Sequence, residues 1–179
     1  MAERLKTRAL NSAIAHLRKW SDTDLFPRPF EIEALYSTWP MAGKFIEATD
    51  LGAHQWSASS RRAIIPKDRL GYRVGMQLDP IDSLVLTALI YQYGRQIERT
   101  RVKTTENIVF SYRLRPLVGG QLYDPAFNWA AFWQRLLALA NESKVRHVLV
   151  ADVSDYYNQV YHHTVEQQLA RANLPREVV

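Results

Sequence analysis

Cysteine is absent from the chain, which excludes disulfides and thiolate metal sites and fits a reducing, cytoplasmic setting. Long apolar runs are also lacking. None approaches the ~18 residues that a spanning helix requires, so no membrane partner is expected. The N-terminal stretch MAERLKTRALNSAIAHLRKW is basic but has no apolar h-region, and it reads as an amphipathic helix rather than a signal peptide. No repeat and no low-complexity tract occurs. Regular strand–helix alternation is missing too, which argues against a doubly wound α/β sheet and for an α+β class. What remains is a chain of 179 residues, one domain by length or part of a larger one, long enough to bury roughly two-thirds of its unfolded surface.

Charge is modest in sum and uneven in placement. Lys and Arg number 23 against 18 Asp and Glu, a net +5. Between Arg61 and Arg115 eleven basic residues face five acidic ones. A central basic block fits a phosphate-rich partner; a solvated surface is the plain alternative.

The apolar spacing sets the expected elements. Leu5, Ala9, Leu10, Ala13, Ile14, Leu17 and Trp20 share one face of a helix over 3–20. The prolines of DLFPRP end it, a second helical piece, FEIEALYSTW, stops before Pro40, and 41–60 is ambiguous. Two extended runs, Arg62–Pro66 and Tyr72–Leu78, flank the charged turn KDRLG and predict a β-hairpin with a basic loop. Asp79-Pro80 has the form of an N-cap followed by proline at the first helical position, opening a helix to about Thr100. Ile108–Leu114 reads as a strand. Asp124-Pro125 repeats the cap signature before a helix over 125–141, Val145–Val153 reads as a buried strand, and a last helix covers Asn158–Ala172.

The stretch 147-HVLVADVSDYYNQVYHHTVEQQL-169 carries the sharpest chemical signal. An aspartate at the end of an apolar strand is partly desolvated and wants a cation, a donor or a proton. Asp152 stands too far ahead of the next helix to cap it, whereas Asp155 is placed to do so. A phosphoacceptor role for Asp152 would need several βα units, which this chain does not supply. The remaining histidines and serines carry little: His162 and Glu166 share a helical face without a third ligand, His16, His54 and His147 stand alone, and Ser57, Ser59 and Ser60 have no nucleophile context.

This stretch resembles the first palm motif of reverse transcriptases: an apolar strand, a metal-binding Asp, paired aromatics, then a helix. The resemblance implies that Asp152 and the backbone carbonyl of Val153 bind Mg2+. It also implies that Tyr157 packs under the sugar of the incoming nucleotide and excludes a 2′-hydroxyl. Upstream, AIIPKDRLGYRVGMQLDPIDSLVLTALIYQYGRQIE is similar to the fingers segment of that family, in which a Lys and an Arg on a hairpin grip the triphosphate; Lys67 and Arg73 match, with Arg69 able to replace Lys67. The block 109-VFSYRLRPLVGGQLYDPAFNWAAFWQR-135 resembles bacterial reverse transcriptases of the abortive-infection and phage-defence groups. There Arg113 and Arg115 would contact template phosphates. Phe127, Trp129, Phe132, Trp133 and Leu136 read most simply as core packing, with base stacking by Trp129 or Trp133 as the other reading.

The resemblance thus implies an incomplete right-hand fold. Residues 1–60 would form an N-terminal helical region, 61–143 fingers, and 144–179 a partial palm. The implied activity is nucleotidyl transfer from dNTP to a DNA primer on an RNA template, by a two-metal mechanism. Yet no two aspartates are adjacent anywhere in the chain, so the Tyr-X-Asp-Asp turn of the family is missing. One carboxylate cannot position two Mg2+ ions. The polypeptide alone is therefore expected not to polymerise; a truncated gene product, an incomplete sequence and one half of a split enzyme are the open alternatives, the last with a second chain supplying the rest of the palm and thumb as its partner. The alternative is a non-catalytic nucleic-acid-binding or scaffolding remnant that uses the basic block 61–115.

Overall fold

The computed structural model describes residues 3–21, 25–53, 60–67, 69–154 and 156–179. Among them are six α-helices and one two-stranded antiparallel hairpin, an α+β arrangement. The helices are α1 (Thr7–Trp20), α2 (Glu31–Ser37), α3 (Trp39–Ala48), α4 (Pro80–Arg99), α5 (Trp129–Ala140) and α6 (His162–Arg171); the strands are β1 (Ser60–Pro66) and β2 (Tyr72–Leu78). The chain divides into two compact units. The first holds Met1–Gly94, Pro116–Leu122 and Val178; the second holds Arg95–Arg115, Tyr123–Glu177 and Val179. The division falls within α4.

The core of the first unit follows from the helical period of α1. Leu5, Ala9, Leu10, Ala13, Ile14 and Leu17 are all buried, packed with Ile32 of α2, Ile46 of α3, Leu51, and Leu84, Val85 and Ala88 of α4. Six side chains on one stripe, each worth about 1–3 kcal/mol of burial by size, explain why a marginal helix forms here. Trp20, expected on the same face, stays half-exposed at the end of the helix. Polar contacts fix the neighbours. Trp39 Nε1 donates to Asn11 Oδ1 at 2.7 Å, and Gln92 accepts from Lys6 N at 2.8 Å. Arg18 pairs with Glu33 at 3.1 Å while lying 3.6 Å over the Tyr36 ring.

Proline sets two helix starts, one as expected and one not. Asp79 Oδ1 accepts from Ile81 N at 3.0 Å and its carbonyl takes Ser83 N at 2.8 Å, so Asp79-Pro80 does open α4. Pro40, expected to lie beyond a helix end, instead occupies the first turn of α3, where its missing N–H costs nothing.

The hairpin also forms where the sequence places it, in the register Arg62↔Met76, Ile64↔Val74 and Ile65↔Arg73. Successive side chains alternate between its faces. One face turns Gly75 and Gln77 inward and half-buries Ile65, and Gln77 Nε2 lies 3.5 Å from Pro27 O. A Cβ on Gly75 would meet Ile65 Cδ1 at 2.5 Å and Phe26 Cζ at 2.9 Å. The other face leaves Ile64, Tyr72, Val74 and Met76 open to solvent.

Three expectations are corrected. Val145–Val153 is not a strand, and it is not buried: Leu149 is 90% exposed. A sheet strand needs hydrogen-bonding neighbours, and the two strands described pair only with each other. Ile108–Leu114 gives only an isolated bridge, Leu114 with Tyr123, because Tyr112 takes a positive φ of 50° that breaks the run. The third helix cap moves. Asn128, not Asp124, caps α5, accepting from Ala131 N at 2.9 Å, while Asp124 Oδ1 takes Ala126 N at 3.0 Å in a turn before it.

The loop Pro116–Leu122 is fastened to α1. His16 Nδ1 donates to Gly120 O at 2.8 Å, and its ring lies 5.3 Å from Trp20 and 6.2 Å from Tyr91. Gly120 has φ +91°, and a Cβ there would fall 2.8 Å from His16 N and 2.9 Å from Ala15 C. Backbone sits on backbone, so nothing can move aside. Gly120→Ala is expected to cost about 2 kcal/mol, read as a lowered urea midpoint with an unchanged slope. Burial holds the His16 imidazole below its ordinary 6.5, its bond to Gly120 offsetting part of that. The folded state therefore binds this proton less well than the unfolded one. Stability is full above 6.5 and falls as pH drops from 6.5 toward the lowered value. A urea titration against pH checks this, and His16→Asn should flatten that part of the profile.

Candidate functional site

The hairpin tip gathers cations because its turn is built from them. Lys67 N donates to Gly71 O at 2.9 Å, closing the loop. Lys67, Arg69 and Arg73 are all exposed. Arg73 sits opposite Ile65, on the face that carries Gly75 and Gln77. At the far end of β1, Arg61 is committed to Glu31 at 2.8 Å; the carboxylate's own backbone hydrogen bond, joined by that ion pair, holds Glu31 below the usual range.

In the second unit, Asp152 follows the exposed apolar run His147–Ala151 and is itself exposed, as is Val153. Tyr156–Gln159 form a single 3-10 turn ahead of α6. Tyr157 is 84% exposed and meets Tyr156 edge-on, the ring centres 5.5 Å apart. Asp155, the expected cap, lies outside the described residues, as do His54, Ser57 and Ser59. The tip cations belong to the first unit and Asp152, Val153 and Tyr157 to the second.

Toward the expected Mg2+ the described residues of this stretch offer few ligands. Among the described residues no group of three or more His, Asp or Glu side chains comes together. A hard divalent cation takes six or more oxygen ligands, with carboxylates supplying most of the charge, and Asp152 with the Val153 carbonyl supplies two. His163 Nδ1 lies 3.5 Å from Glu166 Oε2 on exposed α6, a helix-surface pair.

Arg113 and Arg115 behave differently from each other. Arg113 is 2% exposed; its Nη2 lies 2.5 Å from Glu98 Oε1 and donates to Val102 O at 2.7 Å. In the folded unit that guanidinium holds these two groups together, a structural role beside the template contact expected of it. Glu98 is the organiser that sequence reading missed. It also takes Arg101 Nη1 at 3.1 Å and Leu114 N at 3.0 Å, while Arg101 donates to Ser111 O and Tyr112 O. The i,i+3 spacing of Glu98 and Arg101 was the available sign. Arg115 remains half-exposed, 3.6 Å from Asp124 Oδ2.

The aromatic helix is also not core. α5 buries none of its residues, and Trp129 and Trp133 are exposed, with Phe127, Phe132 and Leu136 half-buried. A helix apolar on most sides needs cover on more than one, and the second unit offers too little of it.

No protein-family model, curated protein or solved structure matches this chain. No helix among the described residues is long and apolar enough to cross a membrane.

Removing the Glu98 carboxylate should strand Arg113 as an unpaired buried charge. Glu98→Ala is expected to cost about 3–5 kcal/mol, visible as early loss of protection of the amides around 101–115 in hydrogen exchange. Arg115→Ala should change little.

Proposed function

We propose that this chain supplies the fingers and the first palm motif of an RNA-directed DNA polymerase of the bacterial phage-defence kind. The observation that carries the reading is the hairpin. It forms over the expected runs, it leads directly through Asp79-Pro80 into α4, and its tip keeps Lys67 and Arg73 exposed. A basic loop of this kind neutralises a polyphosphate by closing on it.

In this reading Lys67 and Arg73 bind the triphosphate, and Tyr157 stands beneath the sugar. Asp152 contributes one carboxylate to a cation site whose remaining ligands another polypeptide segment provides. RNA template, DNA primer and dNTP are the substrates. The chain does not polymerise by itself.

A primer-extension assay tests this, with the missing palm strands, Tyr-X-Asp-Asp turn and thumb supplied in cis or as a second chain. Asp152→Ala should lower extension at least about a hundredfold, and Arg73→Ala should raise the KM for dNTP. Equal extension with and without Asp152 refutes the assignment.

The exposed cations Arg95, Arg99 and Lys103 favour a second reading, a nucleic-acid-binding or scaffolding remnant without catalysis. Such a protein binds RNA or DNA with a steep salt slope and shows no affinity for nucleoside triphosphates.

A further inference from the structure

A groove of about 340 Å3 opens in the second unit between residues 108–111 and the first turn of α5. Ile108, Phe110, Ser111, Asn128, Trp129 and Phe132 line it. Trp129 is 71% exposed yet its indole is held in place. It stacks on Phe132 with ring centres 5.4 Å apart and planes 25° from parallel, and it meets Trp133 edge-on at 5.5 Å. Phe132 is braced in turn by Phe110 at 6.0 Å, edge-to-face. One indole face is supported while most of the ring remains in water. That arrangement costs hydrophobic free energy unless a flat partner covers it.

The chemistry of the walls says what kind of partner. The Asn128 amide is tied down locally, with Oδ1 accepting from Ala131 N and Nδ2 donating to Pro125 O at 2.8 Å. The Ser111 carbonyl accepts from Arg101. Ile108, Phe110, Trp129 and Phe132 make up most of the rest of the walls, and stacking on an aromatic face tolerates any base. The volume suits a planar ring system with a sugar. Charge chooses between a base and an apolar peptide. Arg95, Arg99 and Lys103 are exposed in the same unit; Glu98 is taken up by Arg101 and Arg113, and exposed Glu106 offsets one charge of the three. A partner carrying both a flat ring and a negative backbone satisfies both.

We propose that the Trp129 groove is a stacking site for a base of single-stranded nucleic acid, indifferent to which base it takes. The site needs no metal and does not rest on the polymerase reading.

The test uses the full chain and a fluorescein-labelled single-stranded oligothymidylate, with an abasic oligonucleotide of equal length and charge as its counterpart. Anisotropy should show the base-bearing strand binding about five- to 150-fold more tightly than the abasic one, the range one stacked base contributes. Trp129→Ala should abolish that difference and Trp129→Phe should keep most of it, with thermal melts verifying that both variants fold. Equal binding of the two strands by the unaltered chain overturns the proposal, without reference to any variant. So does binding of neither strand, or a Trp129→Ala protein that still prefers the base-bearing strand. Displacement of the oligonucleotide by a proline-rich apolar peptide at comparable affinity also overturns it, because the groove would then recognise peptide.

Discussion

Backbone hydrogen bonding across strands is the constraint that sorts this chain into what is finished and what is not. An extended segment has a donor and an acceptor at each residue, and both must be met. β1 and β2 meet about half of each other's through seven paired positions, alternate pairs exchanging the bonds, and so hold their shape. The segment around Val148–Val150 has no strand partner among the described residues, and its apolar side chains lie in water. The same contrast separates the helices. α1 and α4 find apolar neighbours and bury their stripes; α5 and α6 bury no residue.

Electrostatics in the second unit follows a similar economy. The basic block has eleven cations, but they do not share one fate. Glu98 takes up Arg101 and Arg113, and these two arginines then hold the carbonyls of Val102, Ser111 and Tyr112. One carboxylate so converts two charges from surface field into loop scaffold. The charge left over is that of Arg62, Lys67, Arg69 and Arg73 on the hairpin and of Arg95, Arg99, Lys103 and the half-exposed Arg115 in this unit, and this remainder faces solvent.

How far the sequence could be read depended on how local the determining signal was. The face of α1, the hairpin and the Asp79-Pro80 cap are set within a few residues of themselves, and all three stand as expected. Asp124 misled because Asn128, four residues on, offers an equally good oxygen nearer the first apolar turn; a cap signature does not say which of two candidates wins. Val145–Val153 misled for a deeper reason. Strand propensity is a statement about fitting a pleated, half-buried surface, and the surface must come from elsewhere. The fate of Arg113 was equally invisible, since composition counts a charge without revealing the carboxylate that cancels it. For the proposed site residues the sequence named chemical types at sensible spacings. The exposure of Lys67, Arg73, Asp152 and Tyr157 agrees with access by a ligand, and any agreement in their joint geometry lies beyond the individual units.

Gly75 has a quiet leverage over the basic loop. The hairpin lies against Phe26 and Ile65 through a position that has no side chain, with room for less than one methyl group. Its seating is thus shimmed from below, about four residues from the tip. A single added carbon would press at once on the Phe26 ring edge and on the terminal methyl of Ile65, which belongs to the hairpin's own first strand. The bare Cα at position 75 is what lets strand and ring close up.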